Sequence, residues 1–121
     1  MKEKEILIVD NELEFRRLLE KTLSGAGYSV IEASNSRDAI IIAKKRCPDL
    51  IILDILLPDM DGGQTAEVLR NNPATRDIPI IFLTGLLTKE EAKERSMAGS
   101  TSFIAKPYNR VELLQEIGKY F

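Results

Sequence analysis

The chain has 121 residues, 44% hydrophobic and 30% charged, and a formal net charge of −2. This length suits one domain with one core, and the charge balance predicts no nucleic-acid surface. One cysteine and no histidine exclude an intrachain disulfide, a Ser-His or Cys-His dyad and a His-ligated zinc site. The sequence shows neither a signal peptide nor a long apolar span, so we expect a cytoplasmic protein without a membrane segment.

The first half of the sequence predicts three strands, each followed by a helix. Short apolar runs over 5–9, 28–33 and 50–53 read as strands. Helical spacing follows over 13–25, between Asn35 and Pro48, and over 64–70. The first helix is predicted to bury one stripe of side chains, made of Phe15, Leu18, Leu19, Thr22, Leu23 and Ala26.

The second half repeats this alternation twice. Strands are predicted over 80–83 and 102–105. A capping box that begins at Thr88 opens a helix that we expect to end at Gly99. The last helix is capped by Asn109 and is predicted to turn inward Val111, Leu114, Ile117 and Phe121. Five alternating strands and helices predict an α/β fold, a doubly wound parallel sheet with helices on both faces.

Polar side chains follow four of the five predicted strands. They are Asp10, Asn11 and Glu12 after the first strand, Asp54 after the third, Thr84 after the fourth and Lys106 after the fifth. The carboxyl ends of parallel strands meet at one edge of the sheet, so these side chains should converge. Asp54 is the first candidate, because a carboxylate that closes a buried strand must face a polar crevice; by itself it would also fit a simple cap of the next turn.

The converging acids predict a bound cation and phosphoryl chemistry. Crowded carboxylates repel one another unless a cation binds them or their pKa values rise, and a small set of oxygen ligands suits Mg²⁺. Asp54 can attack phosphorus, while Thr84 and Lys106 can contact phosphoryl oxygens. A cis Lys106–Pro107 bond would aim the lysine inward. Any phosphohistidine donor must be another protein, because the chain contains no histidine.

With these motifs the chain resembles the receiver domains of bacterial two-component response regulators. The resemblance covers the whole chain. It rests on the acids after ILIV, the LIILD strand, the LPDMDG loop, FLTG, the AGSTSFIAKP segment and the closing helix. It implies a flavodoxin-like (βα)5 fold with strand order 2-1-3-4-5 and a phosphorylated aspartate.

The resemblance also implies the metal site. Asp54 corresponds to the phosphoacceptor aspartate. Mg²⁺ would be bound by Asp10, Asn11, Asp54 and the backbone carbonyl of Leu56. Asn11 stands where the family more often has a second acid, so we expect weaker metal binding, for which Glu12 could compensate.

The same resemblance implies a switch and its partners. Thr84 corresponds to the switch hydroxyl, Lys106 to the phosphate-contacting lysine and Phe103 to the aromatic switch residue; a merely buried phenylalanine is the alternative for Phe103. The expected donor is a sensor histidine kinase or a histidine phosphotransfer protein, and the effector stays unknown. Phosphorylation would reshape the face made by the fourth helix, fifth strand and fifth helix, through which receivers often dimerise. Such a protein is a signalling switch rather than an enzyme.

Several leucines lie near the predicted site. Leu56 and Leu86 stand where polar residues often position the hydrolytic water, so we expect a long-lived aspartyl phosphate. Leu13, Leu56, Leu86 and Leu87 together predict an apolar rim on which a partner helix that presents a phosphohistidine could dock. Scattered, tolerated leucines are the alternative explanation.

Three other functions compete with this interpretation. A flavodoxin-like cofactor binder would need a phosphate loop after the first strand, where Asp10 and Glu12 would repel phosphate. An aspartyl phosphatase would need an acid two residues after Asp54, where Leu56 stands. A pseudo-receiver that only binds partners is kept open by Asn11. We expect a single receiver domain over 1–121 with no output domain, either stand-alone, a phosphorelay intermediate, or cut from a larger regulator or hybrid kinase.

Overall fold

A computed structural model describes residues 3–98 and 101–121. Within them, five strands alternate with five helices. The strands are β1 (Glu5–Val9), β2 (Ser29–Ala33), β3 (Leu50–Leu53), β4 (Ile80–Thr84) and β5 (Ser102–Ala105). The helices are α1 (Leu13–Gly25), α2 (Ser36–Arg46), α3 (Gly62–Arg70), α4 (Lys89–Ala98) and α5 (Arg110–Gly118). All strand pairs are parallel and the order is β2-β1-β3-β4-β5, so the predicted fold class and strand order are confirmed.

The register of the sheet brings the carboxyl ends of the strands together. Val9 at the end of β1 pairs with Ala33 of β2 and with Leu53 of β3. At the other side of the sheet, Thr84 ends β4 opposite Ala105 of β5. The residues that follow β1, β3 and β5 therefore leave the sheet side by side, which places the candidate side chains at one edge.

The sheet separates two apolar layers, because successive side chains of each strand point to opposite faces. Leu7 and Val9 of β1 pack toward α2 and α3, whereas Ile6 and Ile8 pack toward α1 and α5. The central strands β1 and β3 are therefore buried on both faces and read as continuous apolar runs.

The inward face of α1 differs in part from the predicted stripe. Leu19 and Leu23 are buried as expected, but Leu18 is 55% exposed and Ala26 is also exposed. Adjacent helical residues are about 100° apart, so turning Leu19 squarely onto the sheet carries Leu18 toward solvent. Placing Leu18 and Ala26 in the buried stripe was wrong.

The inward face of α5 was also assigned partly wrongly. Ile117 is buried as predicted, and Leu114 is partly buried. Val111 is 62% exposed, and Leu113 fills the core in its place. Phe121 is 42% exposed, although its ring lies 5.6 Å from that of Tyr28.

Two helix boundaries complete the comparison with the sequence. Helix α3 begins at Gly62, two residues earlier than predicted, because the Asp61 side chain accepts a hydrogen bond from the backbone N–H of Gln64. The predicted end of α4 at Gly99 lies outside the described residues.

Gly62 lies against the backbone next to Asp54. A Cβ atom at position 62 would lie 2.5 Å from the carbonyl oxygen of Asp54 and 2.7 Å from the Cα of Ile55. The Gly62 N–H also donates to the Ile55 carbonyl at 2.7 Å. The start of α3 thus fixes the loop after β3 by a contact that only glycine permits.

We predict that Gly62→Ala destabilises the fold, because backbone atoms cannot yield as a flexible side chain does. The expected loss is roughly 1–3 kcal/mol, the usual range for overpacking. Urea denaturation measures it. Gly118→Ala is the control, because its Cβ meets nothing within 4 Å in the last turn of α5, and it should be neutral or slightly stabilising. Equal stability of Gly62→Ala and wild type would contradict the prediction.

Candidate functional site

The site is centred on the ammonium group of Lys106. It donates to Oδ2 of Asp54 at 3.0 Å and to Oε1 of Glu12 at 3.4 Å, and it is also hydrogen-bonded to Oδ2 of Asp10. The side chains of Asp10, Asp54 and Lys106 are 4%, 6% and 11% exposed, whereas that of Glu12 is 67% exposed. One nearly buried cation therefore faces two nearly buried carboxylates and a third carboxylate at the surface.

Main-chain hydrogen bonds hold the two buried carboxylates in place. Oδ1 of Asp10 accepts the N–H of Glu12 at 2.9 Å, and Oδ1 of Asp54 accepts the N–H of Leu56 at 3.2 Å. Each acid thus uses one oxygen to order the loop that follows its strand and leaves Oδ2 to face Lys106. The Lys106–Pro107 bond is cis.

Burial and charge shift two pKa values at this site. Burial is the largest influence on Asp54 and raises the pKa of its carboxyl group, although Lys106 opposes the rise. For Lys106, burial acts against the charged form, but hydrogen bonds to Asp10 and Asp54 prevail and raise its pKa. The charged lysine is therefore stabilised by its acidic partners, while Asp54 remains more basic than an exposed aspartate.

The three acids form a group suited to a divalent cation. Asp10, Glu12 and Asp54 each offer an oxygen, and these oxygens lie within 4.8 Å of one another. A small set of carboxylate oxygens fits Mg²⁺, which keeps several waters. The sequence predicted Asp10 and Asp54 as ligands, together with Asn11 and the Leu56 carbonyl, and left the direction of Glu12 open; the structure places a Glu12 oxygen beside those of Asp10 and Asp54.

A cleft of about 370 Å³ opens beside Asp54. Its walls are formed by Asn11, Glu12, Asp54, Leu56, Leu57, Pro58, Gly85 and Lys106. Asn11 and Leu56, both predicted to help bind metal, thus line the same cleft as Glu12 and Asp54. Asp54, although nearly buried, is thus reached from the surface through this cleft.

Thr84 and Phe103 do not line this cleft. Thr84 is fully buried at the end of β4, and its hydroxyl oxygen accepts the N–H of Leu86 at 3.2 Å. Phe103 is partly buried and stacks on Phe82, with ring centroids 5.1 Å apart. The Ser96 hydroxyl of α4 lies 2.8 Å from the N–H of Phe103 and 3.2 Å from its carbonyl oxygen, which links α4 to β5.

The predicted apolar rim is only partly present. Leu13, Leu56 and Leu86 are 49%, 58% and 54% exposed. Leu87 is only 9% exposed and packs in a small cluster with Ala92. Including Leu87 in an exposed rim was wrong, because the turn into α4 directs it inward.

Sequence reasoning missed three residues that support the site. The ring of Phe15, expected only as core, lies under the Lys106 ammonium with its centroid 4.1 Å from Nζ. The Arg16 guanidinium donates to the backbone carbonyl of Asp10 at 2.6 Å. Asp59 accepts the N–H groups of Ser36 and Arg37, tying the loop after β3 to α2. One indication of the Asp59 contact was present in the sequence. Asn35–Ser36 predicts the start of a helix, and the first backbone N–H groups of a helix need acceptors from outside the helix.

Comparison with known proteins gives the family. The response regulator receiver domain model matches residues 6–118. The phosphate regulon transcriptional regulatory protein PhoB of Pseudomonas aeruginosa is 37% identical over 114 residues, 94% of this chain and 50% of that protein. The chain spans about half the length or less of the curated relatives it matches.

Solved structures agree with the sequence relatives. The chemotaxis protein CheY4 of Vibrio cholerae is 30% identical, with a TM-score of 0.85 over 99% of this chain and 100% of that one. The receiver domain of the sensor histidine kinase PA1611 from Pseudomonas aeruginosa is 28% identical, with a TM-score of 0.85 over 98% of both chains. That structure has a magnesium ion coordinated in its active site cleft.

The chain belongs to the response regulator receiver domain family. It is therefore a receiver domain of a two-component system, a class of signalling switches that act with histidine kinases and phosphotransfer proteins. Within residues 3–98 and 101–121, no helix combines the length and the apolar character needed to cross a membrane.

We predict that Lys106→Met destabilises the fold at pH 7, because it leaves two nearly buried carboxylates without their cation. The free energy of unfolding should fall by roughly 2 kcal/mol. This is less than the cost of breaking a fully buried ion pair, because water reaches the cleft. Asp54 already has a raised folded-state pKa, so its charged form opposes folding above that pKa and its protonation relieves the repulsion. The loss should therefore shrink as the pH falls from 7 to 4.

Urea denaturation at pH 7 and pH 4 measures this difference. The control is Lys21→Met on the exposed side of α1, which should change stability by less than about 0.5 kcal/mol at either pH. A Lys106→Met loss that is the same at both pH values would contradict the charge explanation.

Proposed function

We propose that this receiver domain accepts a phosphoryl group on Asp54 from a phosphohistidine of a partner kinase or phosphotransfer protein. The observation that carries the proposal is the Oδ2 atom of Asp54, which lies at an accessible cleft, 3.0 Å from the Lys106 ammonium, beside two further carboxylates. This arrangement joins a nucleophile, an internal cation and a candidate metal site. It acts as a signalling switch that takes part in its own phosphorylation.

The proposed phosphoryl transfer changes no oxidation state, so it needs neither an oxidant nor a reductant. A carboxylate oxygen of Asp54 forms a bond to phosphorus while the phosphorus–nitrogen bond of the phosphohistidine breaks. The imidazole nitrogen keeps the electron pair of that bond and takes up a proton from water. Lys106 neutralises charge on the phosphoryl oxygens. The raised pKa of the Asp54 carboxyl group makes its carboxylate more nucleophilic than that of an exposed aspartate.

Residues of this chain fit Mg²⁺ at the same place. Asp10, Glu12 and Asp54 would hold it, with the Asn11 amide and the Leu56 backbone carbonyl as further oxygen donors at the cleft. When bound, Mg²⁺ supplies positive charge to the phosphoryl oxygens. The magnesium ion in the receiver of PA1611, a relative of the same fold, supports this proposal.

The signal would leave the site through Thr84 and Phe103. The Thr84 hydroxyl oxygen accepts the N–H of Leu86 at 3.2 Å, and the hydroxyl hydrogen could be donated to a phosphoryl oxygen. Phe103 of β5 packs against the cluster that contains Leu87 of the loop after β4, and its N–H donates to the Ser96 hydroxyl of α4. The face of α4, β5 and α5 would change in consequence and present the output or a phosphorylation-dependent dimer contact.

A second candidate function is a pseudo-receiver that acts only as a protein-interaction module. The observation that favours it is Asn11, an uncharged amide at the cleft where the family more often has an acid. It would leave Asp54 unphosphorylated and the Lys106 ion pairs intact.

We predict that the protein gains one phosphoryl group from acetyl phosphate in the presence of Mg²⁺, because the donor bypasses any partner protein. Intact-mass spectrometry measures the gain. Asp54→Asn, which keeps the shape of the side chain but removes the nucleophile, should gain none, and omission of Mg²⁺ should suppress the wild-type gain. Unmodified mass in folded wild type with Mg²⁺ would favour the pseudo-receiver. Slow loss of the group afterwards is expected, since Leu56 and Leu86 cannot orient a water.

We further propose that Leu13, Leu56 and Leu86 form the docking surface for the partner helix, because all three are about half exposed around the Asp54 cleft. Leu13→Ser should then slow transfer from a phosphohistidine protein by about fivefold, since truncating one contact residue costs about 1 kcal/mol. The acetyl phosphate rate should stay unchanged. Leu18→Ser, an equally exposed leucine of α1 that follows by five residues, is the matched control. Equal slowing with both donors, or with Leu18→Ser, would refute the docking role.

A further inference from the structure

Phe15 lies directly beneath the functional lysine. It lies in the first turn of α1, and its ring is partly buried against the core. The Lys106 Nζ atom stands over the ring at 4.1 Å from the centroid. An ammonium at this distance over an aromatic face is attracted by the ring quadrupole.

The orientation of the Phe15 ring is fixed by its neighbours. The ring of Tyr108 meets it edge-on, with centroids 5.8 Å apart and planes at 85°. The Tyr108 hydroxyl is in turn 2.7 Å from the Thr22 hydroxyl of α1. Tyr108 and Thr22 therefore hold the Phe15 ring with its face toward Lys106, and these contacts link the loop after β5 to α1.

The ammonium and a metal ion would compete for the same carboxylates. Lys106 is hydrogen-bonded to Oδ2 of both Asp10 and Asp54, and these two carboxylates also belong to the candidate metal group. Oδ1 of each acid already accepts a backbone N–H, so a metal bound by Asp10 and Asp54 would weaken the hold of these two buried anions on the ammonium. The third, Glu12, lies at the surface and belongs to the same metal group.

We propose that Phe15 is a positioning residue: its ring holds the Lys106 ammonium at the cleft when the carboxylates are engaged by metal, so that the lysine meets the incoming phosphoryl group. This inference rests on the proposed function. The ring is suited to the task because it attracts the ammonium but offers no ligand to Mg²⁺. An aliphatic side chain of similar size would fill the core and leave the ammonium free to swing into water.

Proton NMR of the Lys106 ε-methylene group tests the contact itself. Protons over an aromatic ring resonate upfield, so the wild-type signal should be upfield of that of the exposed Lys21 both without and with saturating Mg²⁺. Phe15→Leu should abolish the upfield shift, and Phe15→Tyr, which keeps the aromatic face, should retain it. A wild-type signal that moves to the Lys21 position on addition of Mg²⁺ would overturn the proposal.

Phosphorylation rates with acetyl phosphate and saturating Mg²⁺ test the consequence. Phe15→Leu should slow the reaction by about three- to tenfold, as expected for loss of one cation–π contact, while Phe15→Tyr should stay within about twofold of wild type. In a Lys106→Met background, Phe15→Leu should add less than about twofold. Equal slowing in both backgrounds would assign Phe15 a purely structural role and overturn the proposal. Failure of the proposed function is distinguishable, because wild type itself would then gain no phosphoryl group.

Discussion

The charge balance around one ammonium group governs this molecule. Lys106 lies at the end of β5, yet it reaches acids that follow β1 and β3, so it joins three strands at the carboxyl edge of the sheet. Two nearly buried carboxylates without that cation would repel each other and resist burial. The folded chain therefore contains an internal cation beside the proposed phosphoacceptor, and the same charge that stabilises the fold would be available to the proposed phosphoryl transfer.

The sheet register makes this arrangement possible. The Asp54 N–H donates to the Val9 carbonyl at 3.0 Å, and the Lys106 N–H donates to the Thr84 carbonyl at 2.8 Å. Each functional residue is thus held by a ladder-type hydrogen bond to the end of the neighbouring strand. A shift of β5 relative to β4 would move Lys106 and the Thr84 carbonyl together, because the Lys106 N–H donates to that carbonyl. Gly62 adds a second constraint, since it keeps α3 tight against the backbone of Asp54.

Sequence patterns predicted the sheet and most of the site, because both depend on the order and the ends of the strands. Apolar runs marked all five strands, and the polar residues after them included Asp10, Asp54 and Lys106, which the structure brings into contact. Which side of a helix faces the sheet was less predictable: Leu18 and Leu19 are equally apolar, and only tertiary packing decides which one is buried. The same ambiguity affected Val111 and Leu113 in α5.

Residues that act through tertiary contacts left little trace in the sequence. Phe15 is spaced like any core residue of α1, and its contact with Lys106 joins positions 91 residues apart. Leu87 follows the exposed Leu86 directly and was assigned to the same rim, although the turn into α4 separates their directions. The sequence predicted that Glu12 lies near the cluster but not the direction of its side chain. That direction depends on the backbone geometry of the helix cap, and Glu12 is the N-cap residue of α1.

The most direct test of this account is the Mg²⁺ affinity of wild type compared with that of Lys106→Met, measured by calorimetric titration. If the ammonium and the metal compete for Oδ2 of Asp10 and Asp54, wild type should bind one Mg²⁺ per chain and Lys106→Met should bind it more tightly. Asp10→Asn should weaken binding in both backgrounds. Unchanged or weaker binding in folded Lys106→Met, or no binding by wild type, would contradict the view that this site is built around an exchangeable cation.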